Sequence, residues 1–476
     1  MKKRSIYRLG VGLALLSSIP AFAQTDTSDQ IKELQRRLEE LDRKYRALEQ
    51  RVATNDAVIS EKAKQVPLVS VGSDGFRLQS LDGNFKLALE GVIQFDTRNF
   101  IDNVGGKNNI DAFLLRRVRP ILEGTVYRDF SFYFQPDFGP ISSAPPNTVS
   151  PTVYDAFLNY QLIPELQLQA GKFKAPVGLE HLQSDANLEL NERGFVYDLS
   201  PDRDIGVELH GSLFEGVLNY AAGIFNGVGD AQGSTFNTPS DNYKTFDARI
   251  FVKPFSQTKI DSLRGLGFGL AGTYGNEQAG ASPAQNLTAG YKTDGQQTFF
   301  SYSANVSPAG DAWHLNPEAS YYYGPFSLLA EYVVSDQELA DSAAKGAGAK
   351  IDAQNTAWQI QGGWVLTGED ASYTGVKPAH PLDPLHGGGW GAWEVVARYQ
   401  QLSADNNIFT YGYDTAGSAR DAASFTVGLN WYLNNNIRFM LDYAHTTFGH
   451  VDSTSSSILV TRGDENAILT RLQLAF

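Results

Sequence analysis

The chain of 476 residues contains no cysteine. It therefore forms no disulfide and no thiolate metal site, and thiol catalysis is excluded. Attachment of a lipid to an N-terminal cysteine is excluded for the same reason. Basic residues are in the minority, because 39 lysines and arginines stand against 53 aspartates and glutamates, and the formal net charge is −14. This balance argues against a nucleic-acid partner, since proteins that bind nucleic acids present basic surfaces.

After its first residues, the chain also lacks an apolar run long enough for a membrane helix, which needs about 20 residues. Those first residues have the pattern of a secretory signal peptide. Basic residues are followed by an apolar stretch, 11–19, and by the small-x-small triplet Ala21-Phe22-Ala23. We predict a signal peptide over 1–23 and a mature chain that begins at Gln24. A buried N-terminal strand and an uncleaved anchor are the alternatives.

Residues 24–55 are predicted to form a short coiled-coil helix. Apolar side chains recur there at alternating spacings of three and four, which is the heptad pattern. They are Ile31, Leu34, Leu38, Leu41, Tyr45, Leu48 and Val52. About three heptads are only marginally stable alone. The helix is therefore expected to self-associate, as a dimer or a trimer, with support from another interface; a single amphipathic helix on the protein surface is the alternative.

Residues 56–83 have no clear period and are predicted to be a linker, but from Asn84 onward the hydrophobic period is two. Phe85, Leu87 and Leu89 alternate with polar residues, and similar segments recur to the C-terminus. Such a series predicts an all-β fold, a 16-stranded antiparallel transmembrane β-barrel over 84–476. A barrel of this size is wide enough for an aqueous channel.

The strand count comes from the connections. Short turns alternate with long polar loops, as in outer-membrane barrels. With both chain ends on the periplasmic side the count must be even, so the segment 298–302 is assigned to an outer loop. A fold of this loop into the lumen is one alternative. The connection 368–389 breaks the rule, because it is long but falls on the short-turn side. The predicted long loops are 99–112, 139–152, 175–203, 227–243, 276–310, 336–353, 403–421 and 448–465.

Several motifs occur within the predicted barrel. They are Gly171-Lys172-Phe173-Lys174-Ala175-Pro176-Val177-Gly178-Leu179-Glu180, Asn191-Glu192-Arg193, Pro201-Asp202-Arg203-Asp204-Ile205-Gly206-Val207, Gly223-Ile224-Phe225-Asn226-Gly227 and Leu366-Thr367-Gly368-Glu369. These motifs resemble the phosphate-selective porin O and P family, and the resemblance covers about residues 84–476. It implies a homotrimer of 16-stranded barrels in the outer membrane of a Gram-negative bacterium. In many members a coiled coil lies on the periplasmic side.

The resemblance also assigns candidate residues to the pore. Arg116, Arg117 and Arg119 match an arginine-rich strand of the family, Lys174 matches its Phe-Lys-x-Pro lysine, and Asp155 matches an acidic residue at the constriction. Arginine offers phosphate a planar fork of donors, and lysine offers a mobile point charge.

Simple alternation raises two questions about these candidates. Arg116 and Arg117 are adjacent, so only one of them faces the pore unless a bulge intervenes. Strict in-and-out alternation of side chains would point Lys174 outward, unless the alternation is broken at the end of its strand. Arg193 and Arg203 bracket a long outer loop and are as compatible with structural ion pairs as with solute contact.

The sequence thus predicts a water-filled channel for passive diffusion of small anions such as phosphate or polyphosphate. No enzymatic activity, metal or cofactor is expected, and the other partners are outer-membrane lipid and lipopolysaccharide. We expect a modest anion preference set by Arg117, Arg119 and Lys174, with Asp155 limiting how tightly an anion sits. The span from Arg264 to Arg398 contains no further arginine and many acids, which favours the alternative of a general or weakly cation-preferring nutrient porin. A structural or adhesive barrel is the alternative from a different class.

Aromatic residues are predicted to form girdles at the two membrane interfaces, although a sugar slide is the alternative. Tyr127, Tyr160, Tyr220, Trp364 and Trp431 are examples.

The signal pattern generates the first testable prediction. The protein isolated from outer membranes should begin at Gln24, because Ala21 and Ala23 fit the small-residue positions that signal peptidase requires. N-terminal sequencing of the membrane fraction measures this. A soluble cytoplasmic product that still carries Met1 would contradict it.

Overall fold

The computed structural model divides into two compact units, one that ends at Val66 and one over Pro67–Phe476. No helix among the described residues is long and apolar enough to cross a membrane. The residues that the structure describes are 26–63, 67–73, 75–101, 110–139, 151–230, 242–278, 290–341, 350–451 and 462–476. The predicted signal peptide and its cleavage site lie outside these ranges.

The first unit contains one long helix, α1, over Asp26–Ala63. Ion pairs one turn apart, such as Glu40 with Lys44 (2.9 Å), stabilise it, and the acid precedes the base as the helix dipole favours. The helix continues beyond the predicted end at residue 55 and ends at Ala63. The side chains of the predicted seam, from Ile31 to Val52, are 53% to 72% exposed. The seam is therefore uncovered, and its pairing in a coiled coil stays a prediction.

The second unit is built from antiparallel strands. Two short strands precede sixteen longer ones, and a separate two-stranded sheet, β12 with β13, lies within a loop. The strands are β1 Leu68–Gly72, β2 Gly75–Gln79, β3 Lys86–Phe100, β4 Ala112–Val126, β5 Phe130–Asp137, β6 Thr152–Ile163, β7 Leu166–Lys174, β8 Arg203–Leu213, β9 Leu218–Phe225, β10 Thr245–Val252, β11 Leu266–Gln278, β12 Tyr291–Lys292, β13 Thr298–Phe300, β14 Val306–Tyr323, β15 Phe326–Asp341, β16 Ile351–Val365, β17 Ala392–Ser403, β18 Ala419–Tyr432, β19 Ile437–Val451 and β20 Glu465–Ala475.

Short helices occupy the connections. They are α2 Leu179–Leu182, α3 Phe195–Asp198, α4 Asn406–Thr410 and a 3₁₀ turn at Asp261–Leu263.

The sixteen long strands close into a barrel, which confirms the predicted fold class. Each strand pairs with the next, and β20 returns to β3, where Ala475 lies opposite Val92. The terminal Phe476 extends this seam, because its N–H donates to the carbonyl of Gly91 (3.1 Å) and its carbonyl accepts the N–H of Gly91 (2.9 Å). The last residue of the chain is therefore part of the closure.

The predicted linker over 56–83 contains regular structure. Besides the end of α1, it includes the hairpin of β1 and β2, and β2 pairs with the first part of β3, where Phe76 lies opposite Leu89. The hairpin thus prolongs the sheet at the closing strand. Its strands have five residues each, which is too short for a period to be recognised in the sequence.

The two faces of the barrel are inverted relative to a soluble protein. Large apolar side chains such as Ile250 (54% exposed) and Leu270 (53% exposed) cover the outside. Polar side chains such as Asn316, Gln400 and Asn430 are fully buried on the inside. Apolar-out and polar-in alternation is the signature of a barrel that lies in a membrane.

Two irregular connections were singled out in the sequence. The segment 298–302 is not a barrel strand, since β13 pairs only with β12, and its assignment to a loop is confirmed. The long connection after β16 packs on the short-turn end of the barrel in a small apolar cluster. Its members are Val365, Ala371, Val376, Ala392 and Tyr432.

Candidate functional site

The loop between β7 and β8, residues 175–202, folds across the inside of the barrel. On one side, Gln94 of β3 donates a hydrogen bond to the carbonyl of Asp185 (3.1 Å). On another, Asn430 of β18 donates to the carbonyl of Glu189 (2.8 Å). Because the loop touches strands from distant parts of the chain, it divides the lumen; we call it the constriction loop.

A carboxylate from the far wall holds the start of the constriction loop. Glu331 of β15 accepts the N–H groups of Leu179 and Glu180 (3.3 Å for Glu180), the first two residues of α2. A carboxylate at this position satisfies amides that have no partner within the helix.

Arg398 of β17 ties the constriction loop to a second inward segment. Its guanidinium donates to the carboxylate of Glu180 and the carbonyl of Glu192 (both 3.1 Å), and to the carboxylate of Asp294 (2.9 Å). Asp294 lies between β12 and β13, so residues 290–305 also reach into the barrel. Arg398 is 1% exposed, and the carboxylates of Glu180 and Asp294 balance its buried charge.

The two inward segments pack together in an apolar cluster against β15 to β18. Rings from α3 and from the segment 290–305 meet there, for example Phe195 with Phe299 at a centroid distance of 5.6 Å. This cluster fills one side of the lumen. Its members include Phe195, Val196, Leu199, Tyr291, Phe299, Phe300, Tyr302, Val333, Leu402 and Ile408.

A cavity of about 580 Å³ remains open on the other side, along the strands from β3 to β10. It lies on the short-turn side of the constriction loop. Four cations and three acids contribute to its wall. They are Arg119, Lys174, Arg203 and Arg249, and Asp155, Asp185 and Glu208.

A β-bulge aims the arginines of β4 into the barrel. Phe113 and Leu115 point outward, at 78% and 52% exposed, and plain alternation would turn Arg117 and Arg119 outward as well. The register between β3 and β4 shifts at Arg116, which has no partner residue in β3. The extra residue reverses the parity, so all three arginines face inward. This is the bulge that the sequence analysis required for Arg116 and Arg117 to share the pore side.

The arginines of β4 reach acids of the constriction loop. Arg116 forms an ion pair with Glu192 (2.8 Å), and Arg117 forms one with Asp185 (3.3 Å). Arg119 pairs with Asp185 and also with Asp137 (2.6 Å). Arg117 and Arg119 are each 3% exposed, so their charges hold the loop more than they face free solvent.

Asp185 is the centre of this anchor. It pairs with Arg193 of its own loop as well as with Arg117 and Arg119. Burial alone would raise the pKa of the Asp185 carboxyl, but the three guanidinium groups hold that pKa well below its usual range. Asp185 is therefore ionised at any physiological pH. Arg193 is a structural residue here, which is one of the two roles that the sequence allowed.

A second bulge lies in β6. Val153 points outward, and the register between β5 and β6 skips Tyr154, so Asp155 is turned inward. The ring of Tyr154 lies between two guanidinium groups, with the central carbon of Arg119 at 3.6 Å and that of Arg203 at 3.4 Å from its centroid. A cation above each face of a ring is attracted by its quadrupole. Tyr154 thus holds two like charges at a fixed distance.

Arg203 and Lys174 complete the cavity wall at the end of β7 and the start of β8. Arg203 pairs with Asp155 (3.1 Å) and Asp202 (2.7 Å). The ammonium group of Lys174 donates to the carbonyls of His181 and Gln183, both at 2.7 Å. Lys174 therefore faces inward despite the alternation of its strand, and it has only neutral acceptors among the described residues.

The structure thus divides the predicted residues into two groups. Arg119, Asp155, Lys174 and Arg203 line the cavity together. The other three anchor the constriction loop. They are Arg116, Arg117 and Arg193. The sequence analysis did not single out Asp185 or Tyr154; an excess of acids in the loop that faces an arginine-rich strand is the signal that could have indicated Asp185.

The anchor at Asp185 generates a prediction. The substitution Asp185→Asn should increase single-channel conductance and current noise, because three buried arginines each lose one carboxylate partner and the loop loosens. Removal of one partner from a buried pair costs about 3–5 kcal/mol. The lost negative charge should also raise anion preference. Planar-bilayer recording measures both quantities.

Asp370→Asn is the control, since it removes the same charge at an exposed site on the short-turn side. Conductance and noise equal to those of the unaltered protein in Asp185→Asn would show that the ion pairs do not hold the loop.

The fold agrees with what the chain is similar to. The family model of phosphate-selective porin O and P matches residues 85–476. Porin O of Pseudomonas aeruginosa is 25% identical over 439 residues, which are 84% of this chain and 91% of that protein. Among solved structures, the outer membrane channel DcaP of Acinetobacter baumannii has a TM-score of 0.52 at 12% identity, with 84% of this chain and 99% of that chain covered. Outer-membrane expressed OmpT of Vibrio cholerae has a TM-score of 0.49 at 12% identity, with 83% and 98% covered.

The match to the family extends over the whole barrel, and DcaP shares its fold. Together these findings point to a channel of the outer membrane rather than to an enzyme. The chain belongs to the phosphate-selective porin O and P family.

Proposed function

We propose that the protein is an anion-preferring outer-membrane pore through which small anions such as phosphate or polyphosphate diffuse. The observation that carries this proposal is a surplus of cations among the ion pairs beside the constriction loop. Seven arginines there pair with six carboxylates, and one lysine beside them has carbonyl acceptors. They are Arg98, Arg116, Arg117, Arg119, Arg193, Arg203, Arg471 and Lys174, with Asp96, Asp137, Asp155, Asp185, Glu192 and Asp202.

Among these cations, Lys174 presents the least compensated positive charge to the solute. It forms no ion pair with a described residue, because the two acceptors of its ammonium group are carbonyls. Arg119 and Arg203 also line the cavity, but each has two carboxylate partners and a face covered by Tyr154. Charges within about 8–10 Å of the ion path act on a passing ion at physiological salt. The sequence assigned the preference to Arg117, Arg119 and Lys174 together, whereas the contacts give the greatest weight to Lys174.

Weak binding suits a pore. Conduction requires a site that favours entry but still releases the ion. The donors of Arg119 and Arg203 are largely occupied by acids, so a phosphate meets a mobile ammonium rather than a free guanidinium fork. We therefore expect transient contact with anions and no tight phosphate cage.

A cation-preferring pore is the second candidate, and Glu208 favours it. This acid of β8 lines the cavity and has no ion pair with any described residue. Asp247 of β10 is buried nearby, and one of its oxygens has no hydrogen-bond partner among the residues that the structure describes. The sign of the reversal potential in a salt gradient separates the two candidates.

Replacement of the lysine tests the proposal. Lys174→Gln should lower the anion-to-cation permeability ratio by roughly twofold, the effect of one unit charge about 9 Å from the ion path in water at physiological salt, where screening weakens its action on both ions. The conductance should stay within the same range, since the other wall charges remain. Reversal potentials in a potassium chloride gradient measure the ratio.

Lys253→Gln is the matched control, because Lys253 is exposed on the short-turn side, away from the cavity. If the unaltered pore prefers cations, the proposed anion preference is wrong. A ratio that does not change in Lys174→Gln would remove the assigned role of Lys174.

We further propose that the protein is a homotrimer, with lipid on the apolar outer face of each barrel and lipopolysaccharide at its long-loop end. The family membership supports this assembly, and a trimer form is stated for OmpT of Vibrio cholerae. The uncovered seam of α1 supports contact between helices of different copies. Since about three heptads contribute little stability alone, the barrel contacts should dominate.

Removal of residues 24–60 should therefore leave a trimer of lower thermal stability. The mass of the detergent-solubilised protein, measured by light scattering with correction for bound detergent, checks the assembly. A monomer after this deletion would show that the helix, and not the barrel, holds the copies together.

A further inference from the structure

Aromatic rings form a continuous ladder on the inner face of the barrel. Tyr133 of β5 stacks on Phe157 of β6 with centroids 5.3 Å apart. Phe157 meets the edge of Phe173 of β7 at 5.8 Å, and Phe173 meets Phe225 of β9 at 5.4 Å. The ladder therefore crosses neighbouring strands at one level of the lumen.

Inward aromatic residues need an explanation, because the lumen of a membrane barrel is ordinarily polar. At one end of the ladder, Phe173 and Phe225 are packed in the interior of the protein, since they are 4% and 1% exposed. Tyr133 and Phe157 are different. Both are only half-buried and both line the open cavity. Their ring surfaces are accessible to a solute in the cavity.

The same cavity contains the cations of the proposed pore. Lys174 directly follows the ladder residue Phe173, and Arg203 and Arg119 lie in the same wall. Side-chain amides complete the lining, among them Gln135 and Gln169. Rings, cations and amides thus surround one space.

We propose that this cavity binds aromatic carboxylates, organic anions that combine a planar ring with a carboxylate group. The ring would stack on Tyr133 and Phe157, and the carboxylate would meet Lys174. A cavity of about 580 Å³ lies within the size range of sites for small organic ligands. Inorganic phosphate uses the cations but gains nothing from the rings. The inference rests on the proposed anion pore and names a class of solute for it.

The chemistry of recognition has two separable parts. Aromatic rings prefer offset or edge-to-face contact with another ring, and this attraction is independent of charge. The cation contributes equally to any carboxylate. A ring-bearing and a ring-free carboxylate of the same charge therefore differ only in the part that the ladder supplies.

The test is block of chloride current in planar bilayers by benzoate, acetate and inorganic phosphate. Benzoate should reach half-block at a concentration roughly fivefold or more below that of acetate, the effect expected of ring contacts. Phe157→Leu should raise the half-block concentration of benzoate toward that of acetate and leave the acetate value unchanged. Tyr133→Leu should act in the same direction.

Phe134→Leu is the matched control, because Phe134 is the outward neighbour of Tyr133 on β5 and is 41% exposed. It should not change the block by benzoate. If Phe157→Leu fails to form channels, Tyr133→Leu decides the outcome. The inference is overturned if benzoate and acetate block the unaltered pore equally, or if neither lumenal substitution changes the block by benzoate.

The reversal potential measured in the same membrane tests the proposed function separately. An anion-preferring pore without discrimination between benzoate and acetate would retain the proposed function and reject only the aromatic carboxylate site. A cation-preferring pore would reject the proposed function itself.

Discussion

The buried ion pairs between the constriction loop and the arginine-rich wall determine the shape of the open lumen. A charge inside a protein is costly unless a partner of opposite sign and further hydrogen bonds satisfy it. Asp185 and Glu192 meet this requirement for the arginines of β4, and those arginines meet it for the loop. Neither set is stable in its position without the other. The position of the constriction loop and the charge of the pore wall therefore depend on each other.

The acids of the middle of the chain have a different role from the one that a charge count indicates. Glu331 accepts the first amides of α2, Asp294 pairs with Arg398, and Glu318 pairs with Arg249. These carboxylates position the inward segments and neutralise arginines of the barrel wall. In the loop itself, burial and then the neighbouring Glu394 raise the pKa of Glu189 to about 8.

That shift favours the protonated, uncharged form of the Glu189 carboxyl. Within the span between Arg264 and Arg398, Asp294 and Glu318 are paired with arginines, so a count of acids in this span overstates the negative charge that a solute encounters. The local ion pairs determine the charge that a passing ion encounters. The net charge summed over the sequence does not reveal these pairs.

The extent to which the sequence predicts this structure follows from the range of each interaction. The hydrophobic period of two and the alternation of short turns with long loops are local patterns in the sequence. They were sufficient to predict the barrel and its even number of strands. The bulge at Arg116 depends on which residue of β3 lies opposite. The sequence alone therefore could not show whether Arg116 and Arg117 both face the pore. The partners of the constriction loop are more distant still, since Asn191 and Asp442 are 251 positions apart. Such contacts follow from the closed barrel and not from any local pattern.

The two bulges also explain how one wall combines fixed and mobile charge. Each adds an inward side chain at the level of the constriction loop, Arg116 in β4 and Tyr154 in β6. Tyr154 occupies one face of Arg119 and one face of Arg203, and acids occupy most of their edges, so these guanidinium groups are held in place. Lys174 differs because its flexible chain ends in a group that can exchange neutral carbonyls for an anion. A rigid positive wall with one adjustable cation attracts an anion and still allows it to leave, which is the combination that passive diffusion requires.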